Sequence, residues 1–323
     1  MPDIPTIGYS HAITCIDTRY QRPAIAACYL LESAGEAVFI DTGTSHTVPH
    51  LMAALAFRGI PPSQVRYVIP THVHLDHAGG AGALLRHLPN ASLLIHPYGA
   101  KHLIDPSKLI AGATAVYGEE KFKADFGDLI AAPEDRVIEA PDGTRVSFGD
   151  RELLCLDTPG HARHHICIHD KLSDGIFSGD TFGLSYREFD TDKGPFIMPT
   201  TTPVQFDPDA WHLTLDRLMA LEPQRIFLTH YGEVTQPAVL AERLHHYLDE
   251  FTTIAREADA EPGPDRVAAI RNRLLQWLVQ ELQQHGCRHS PQTIKQRMSM
   301  DLELDAQGLE VWLSRQEEAK ATG

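Results

Sequence analysis

The segment YVIPTHVHLDHAGG, residues 67–80, constrains this chain more than any other. A run of apolar and β-branched residues stops at Pro70. His72, His74, Asp76 and His77 follow within six positions, and small residues able to begin a helix come next. A strand that runs into a loop of ligand-type side chains and then a helix belongs to an α/β protein with its chemistry at strand ends. Packing does not account for four such side chains on one loop, because charged and imidazole groups are rarely placed together in a core. In an extended loop, residues two apart point the same way, so His72 and His74 can grip one ion. Asp76 and His77 are adjacent and diverge, which suits a second ion. Imidazole and carboxylate donors without thiolate suit zinc first, with iron or manganese as alternatives.

Three further apolar runs end on ligand-type residues. LLCLDTPGH reaches His161, GIFSGDT reaches Asp180 and RIFLTHYG reaches His230. A single histidine at a strand end is usually structural. Three such ends, taken with the loop, form a pattern that packing does not require. A carboxylate at Asp180 can bridge two cations and screen their repulsion.

The rest of the chain supplies a scaffold for these ends. IAACYLLES, EAVFID, RYVIP and SLLIH read as strands, and after an interval so do TRVSF, RELLCLD, HICIH, GIFSG and RIFLTH. Between them TVPHLMAALAFRG reads as a helix stopped by Gly59, and DPDAWHLTLDRLMALEP as a helix capped by Asp207 with Pro208 in its first turn. The strands fall in two batches, roughly residues 20–100 and 140–232, as in a duplicated half-unit. The segment between them, residues 96–128, has few strand signals and reads either as a lid or pocket wall or as a helical spacer. From about residue 236 strand signals cease. Leu240, Leu244, Leu248 and Phe251 form one helical stripe, and Val267, Ile270, Leu274, Leu278 and Leu282 form another, with EPGPDR as a break between them. Residues 1–235 are therefore expected to form the catalytic domain and 236–323 a helical extension. The extension is expected either to cap the site mouth, opposite an insertion at 100–135, or to form a homodimer interface. Tyr117, Phe182, Tyr186 and Phe196 read as loop packing or, alternatively, as pocket lining.

Composition removes several function classes. Lys and Arg number 28 against 43 for Asp and Glu, a net charge of −15, and no basic patch stands out, so no nucleic-acid partner is expected. No apolar run approaches the roughly 20 residues needed to span a bilayer, so no membrane partner is expected. The N-terminus lacks a basic start followed by an apolar stretch. The five scattered cysteines contain no Cys-x-x-Cys pair, which suits a reducing cytoplasm. A small molecule remains as the expected substrate.

His-x-His-x-Asp-His, then Thr-Pro-Gly-His, Gly-Asp-Thr and a late strand-end His, together with Asp41 in FIDTG, resembles the metallo-β-lactamase superfamily over residues 20–232. Within it, the metal ligands and the helical C-terminal part resemble the hydroxyacylglutathione-hydrolase branch. The chain departs from that branch in reading DTFGLSYREF and THYGEV where the branch carries Gly-Cys-Gly-Arg and Gly-His-Glu-Tyr. The resemblance implies a four-layer αββα sandwich followed by a C-terminal helical extension. It implies one metal ion held by His72, His74 and His161, and a second held by Asp76, His77 and His230, with Asp180 shared. Asp41 would orient the ligand loop, and Asp76 would also orient the nucleophile and relay its proton. The implied reaction is attack by a metal-bridging hydroxide on a small thioester, ester or lactone, since a metal-bound water ionises near pH 7. An iron-dependent oxidoreductase of the persulfide-dioxygenase type, or a regulatory protein on the same scaffold, is the alternative.

Overall fold

In the computed structural model, which describes residues 5–260 and 265–322 (for 116, 117 and 322 the backbone alone), seven strands form one sheet in chain order. They are β1 (Thr6–Tyr9), β2 (Ile13–Asp17), β3 (Ala27–Ser33), β4 (Glu36–Ile40), β5 (Val65–Ile69), β6 (Ser92–Ile95) and β7 (Val137–Glu139). The first four pair antiparallel, and β4 through β7 pair parallel. The second sheet holds β8 (Arg145–Phe148), β9 (Arg151–Asp157), β10 (Ile166–Asp170), β11 (Gly175–Gly179), β12 (Arg225–Leu228) and β13 (Gly232–Thr235). Its order is β13-β12-β11-β10-β9-β8, antiparallel except between β11 and β12.

Alternation along the strands divides the core into two layers. In β3, Cys28 and Leu30 face outward while Ala27, Tyr29 and Leu31 face the other sheet. In β4, Ala37 and Phe39 alternate with Val38 and Ile40 in the same way. The outward set packs on α1 (Val48–Arg58) through Leu51, Ala54 and Leu55. Gly59, left-handed at φ 69°, ends that helix as the sequence predicts. The inward set meets Leu153, Cys155, Ile166, Ile168, Phe177 and Phe227 of the second sheet. Both faces being buried explains why these strands read as continuous apolar runs. This is the expected αββα sandwich, and helices follow it at the C-terminal end.

Short helices α2 (Leu75–Ala78) and α3 (Ala81–Leu85) follow β5. Residues 96–128 fold as three helices, α4 (Pro97–Ile104), α5 (Ser107–Tyr117) and α6 (Glu119–Phe126). Two compact units divide the chain. The first takes residues up to Thr158, His164–Gly179 and Pro223–Thr235, and contains both sheets. The second takes Pro159–Arg163, Asp180–Glu222 and residues from Gln236 on. Its helices are α7 (Pro208–Met219), α8 (Pro237–Asp259), α9 (Arg266–His285), α10 (Pro291–Arg297) and α11 (Ser299–Thr322).

The predicted stripes are the buried faces of this second unit. Leu240, Leu244, Leu248 and Phe251 on α8 and Ile270, Leu274, Leu278 and Leu282 on α9 are buried. Trp277 of α9 inserts edge-on against Tyr247 and Phe251 of α8, with ring centroids 4.9 Å from each. Phe182, Tyr186 and Phe196 are buried as packing residues, and the Tyr186 hydroxyl donates to Asp301 Oδ1 at 2.8 Å. The side chain of Tyr117 and residues 261–264 of the EPGPDR break lie outside the described residues. No helix among the described residues is long and apolar enough to cross a membrane.

Candidate metal centre

Asp41 organises the candidate cluster of the first unit. It follows β4, is fully buried, and adopts a left-handed backbone with φ 58° that Asp tolerates better than most residues. Its Oδ1 accepts from the Thr71 amide at 2.7 Å and lies 3.0 Å from the Thr71 hydroxyl. Its Oδ2 accepts from the Thr229 hydroxyl at 2.7 Å and from His77 Nδ1 at 2.9 Å. One carboxylate thus ties together the turn after β4, the ligand loop after β5 and the turn after β12. The two sheets are also joined beside it. The Tyr29 hydroxyl donates to the Leu228 carbonyl, and the Ala27 amide donates to Thr229 O at 2.8 Å.

The ligand loop bends through residues 71–74 rather than running straight, although His74 itself has an extended backbone. His74 is the N-cap of α2, so Leu75, Asp76 and His77 lie on a helical turn, a correction to the extended-loop reading. Adjacent residues on that turn still reach one place, because the His230 ring comes to meet them. His230 Nε2 is 3.3 Å and His77 Nε2 3.6 Å from Asp76 Oδ2. Asp76, His77 and His230 each offer a donor atom, all within 4.8 Å of one another. The rings of His72 and His74 are neighbours, with centroids 4.5 Å apart, and His72 is 4.1 Å from His77.

The second unit carries His161 and Asp180. Gly160 adopts φ 136°, and a side chain there would lie 2.5 Å from Trp211 Cβ, so the Thr-Pro-Gly-His turn needs glycine at this position. His161 Nδ1 donates to Thr200 O at 2.8 Å, and His161 Nε2 is 3.3 Å from Asp180 Oδ2. Helix α11 fixes the segment that holds His161. Buried Asp305 accepts from the Thr201 amide at 2.6 Å, while at Gly308 a Cβ would lie 1.5 Å from Thr201 O. Burial, followed by the neighbouring charges of Asp301 and Asp180, pushes the Asp305 carboxyl well above the usual range despite its hydrogen bonds from Thr201.

The donor chemistry fits metal ions. His77, His161 and His230 each spend Nδ1 on an oxygen that can only accept, namely Asp41 Oδ2, Thr200 O and Ile25 O, the last at 2.7 Å. Nδ1 therefore carries the proton, and in the neutral ring Nε2 presents a lone pair. Each Nε2 faces a carboxylate oxygen, a contact that repels when the ring is neutral and is relieved by a metal ion between the two or by a proton on Nε2. Two ligands about 2.1 Å from one ion at a tetrahedral angle are roughly 3.4 Å apart, close to the separations found here.

Sequence reasoning left His164 and His165 outside the pattern, yet both lie beside it. The His165 ring stacks 5.0 Å from His72 and its Nδ1 is 2.9 Å from Thr158 Oγ1, whereas the His164 ring is 5.9 Å from that of His74. Thr200, Thr201, Asp305 and Gly308 carried no motif that would have singled them out.

A two-sheet sandwich with imidazole–carboxylate clusters at its strand ends defines a class of metal-site proteins. The sequence profile of the Metallo-beta-lactamase superfamily matches residues 22–230, and the chain belongs to that superfamily. The metallo-beta-lactamase fold-containing protein ST1585 of Sulfurisphaera tokodaii is 28% identical over 232 residues, 71% of this chain and 80% of its own. The crystal structure of ST1585 from Sulfolobus tokodaii superposes with a TM-score of 0.63 at 24% identity, covering 94% of this chain and 99% of that one. The acyl-coenzyme A thioesterase MBLAC2 of Bos taurus is 27% identical over 173 residues, half of this chain and 60% of that enzyme. A hydroxyacylglutathione hydrolase of Aeromonas salmonicida is 28% identical over 153 residues, 47% of this chain and 45% of its own length.

Proposed function

We propose that the chain is a dinuclear metal-dependent hydrolase of small thioesters, esters or lactones, working in the cytoplasm. The observation that carries this reading is the placement of the His77, His161 and His230 rings, each with Nδ1 within 2.9 Å of an acceptor oxygen and Nε2 within 3.6 Å of a carboxylate oxygen. His72 and His74 would hold one ion with His161, Asp76, His77 and His230 would hold the other, and Asp180 would be shared between them, as the family resemblance implies. The bound ions, zinc by preference, would polarise the substrate carbonyl and acidify a water to near pH 7.

The chain's own residues would supply orientation. Asp76 keeps 21% of its side chain exposed, so it can touch both the ligand rings and solvent, orient the attacking water and accept its proton. Asp41 holds the His77 ring against rotation. The names of the thioesterase and glutathione-thioester relatives favour a thioester. The absent glutathione-branch motifs favour a leaving group other than glutathione.

A panel of acyl thioesters, lactones and phosphodiesters, assayed on protein of measured metal content, tests the proposal. Thioester hydrolysis that scales with bound metal and disappears in Asp180→Ala is expected. Oxygen consumption with a persulfide, and no hydrolysis of any ester, would overturn it.

A further inference from the structure

The second unit contains a cavity of about 480 Å³ between the first turn of α7, the second half of α8 and the later part of α11. Arg163, Arg256 and Arg315 line it, together with Phe206 and Trp312. In so acidic a chain a guanidinium normally finds a carboxylate, and others in this unit do. Arg266 reaches Asp259, Glu310 and Glu317, while Arg271 pairs with Glu303 and Arg273 with Glu257. Among the described residues, the three arginines at the cavity form no ion pair.

What they do form leaves donors in reserve. Arg256 lies over the Trp312 ring, 5.1 Å from its centroid, a contact that restrains the guanidinium without using its N–H groups. Arg315 donates one Nη2 bond to the Phe206 carbonyl, and its Nε is buried with no hydrogen-bond partner among the described residues. The acidic side chains on the wall are committed or turned to solvent. Asp207 accepts from the Ala210 amide at 3.1 Å, Asp249 faces His212 Nε2 at 3.3 Å, and Asp209 is exposed.

We propose that this cavity binds a phosphorylated small molecule. Three permanently charged planar forks outnumber the two oxygens of a carboxylate and suit the three terminal oxygens of a phosphate monoester. The volume lies within the roughly 300–1,000 Å³ of small-molecule pockets. The proposal does not depend on the metal reading. One aromatic layer separates the cavity from His161, since the Trp211 ring is 6.0 Å from those of both Phe206 and His161. The phosphate therefore either belongs to the leaving group of the substrate or comes as a separate anion.

Calorimetric titration of the full-length, metal-loaded chain with adenosine 5′-monophosphate and inorganic phosphate tests the proposal. Saturable one-site binding that weakens at least tenfold in Arg163→Gln/Arg256→Gln is expected, with metal content and melting temperature unchanged. Both residues are exposed, so the variant should fold, and Arg256→Lys should show a smaller loss because it keeps the charge but not the fork. Equal binding by wild type and double variant would overturn the site, because the anion would then be bound elsewhere, for instance on the metal ions. No binding by wild type would overturn it too. Kinetics separates the two sources, and either outcome supports the site. A substrate-borne phosphate raises KM in the double variant for phosphorylated thioesters only, whereas a separate anion leaves KM the same for phosphorylated and uncharged thioesters.

Discussion

Replacing Asp41 with Asn isolates the tautomer argument. Asn has nearly the same volume and tolerates the left-handed backbone, so the φ of 58° is preserved and the turn after β4 keeps its shape. Its carbonyl oxygen can still accept from the Thr71 amide. The amide nitrogen then faces His77 Nδ1, which now donates to Asp41 at 2.9 Å, and two donors oppose each other in a fully buried position. His77 escapes by moving its proton to Nε2, which removes the lone pair aimed at Asp76. Losing a charge-assisted bond and opposing two donors costs about 2–3 kcal/mol of stability. At roughly 2–4 °C per kcal/mol, the melting temperature should fall by about 5–10 °C. Metal affinity should fall by about 10–100-fold, as for other residues that orient a ligand. Chelator competition measures the affinity, and scanning fluorimetry of metal-free protein measures the stability. An Asp41→Asn protein that holds both ions as tightly as wild type would refute the reasoning.

Other sites give independent checks. Gly308→Ala places a methyl 1.5 Å from Thr201 O, so α11 or the 200–201 segment must shift; an unfolding cost of about 1–3 kcal/mol is expected in denaturant melts, with weaker metal retention through His161. Asp305 has a raised folded pKa, so its contribution to stability is complete below its ordinary value of 3.8 and declines as pH rises above it; Asp305→Asn should flatten that decline in urea melts taken from pH 5 to 9. Arg151 and Asp170 form a fully buried pair, and Arg151→Met should cost about 3–5 kcal/mol in the same melts by stranding the carboxylate. Burial raises the Asp170 pKa, but hydrogen bonds from Arg151 and Ser173 outweigh it and hold the group below 3.8, so its stabilisation is present above that pH and lost on further acidification.

The candidate ligand residues stand out in the sequence because His72, His161, Asp180 and His230 each follow closely on an apolar run, and a run that leads to a histidine or aspartate is visible without knowing what it packs against. The short strands do not. β2 reads ITCID and β13 reads GEVT, too brief or too polar for a pattern, and they become strands through pairing with β3 and β12. The supports of His161 were hidden for a different reason. Asp305 and Gly308 act across more than a hundred residues of sequence on Thr201, and a helix interior offers no local sign that one of its aspartates is buried against a distant amide. The turn at Leu75 was missed because four residues are too few to show helical periodicity.

The proposed dinuclear centre is tested most directly by counting metal. Plasma mass spectrometry on the full chain, purified without chelators and reconstituted with zinc, should give about two ions per chain, falling sharply in Asp180→Ala. A single tight ion that no reconstitution can supplement, or metal content unchanged by Asp180→Ala, would contradict a shared two-metal site.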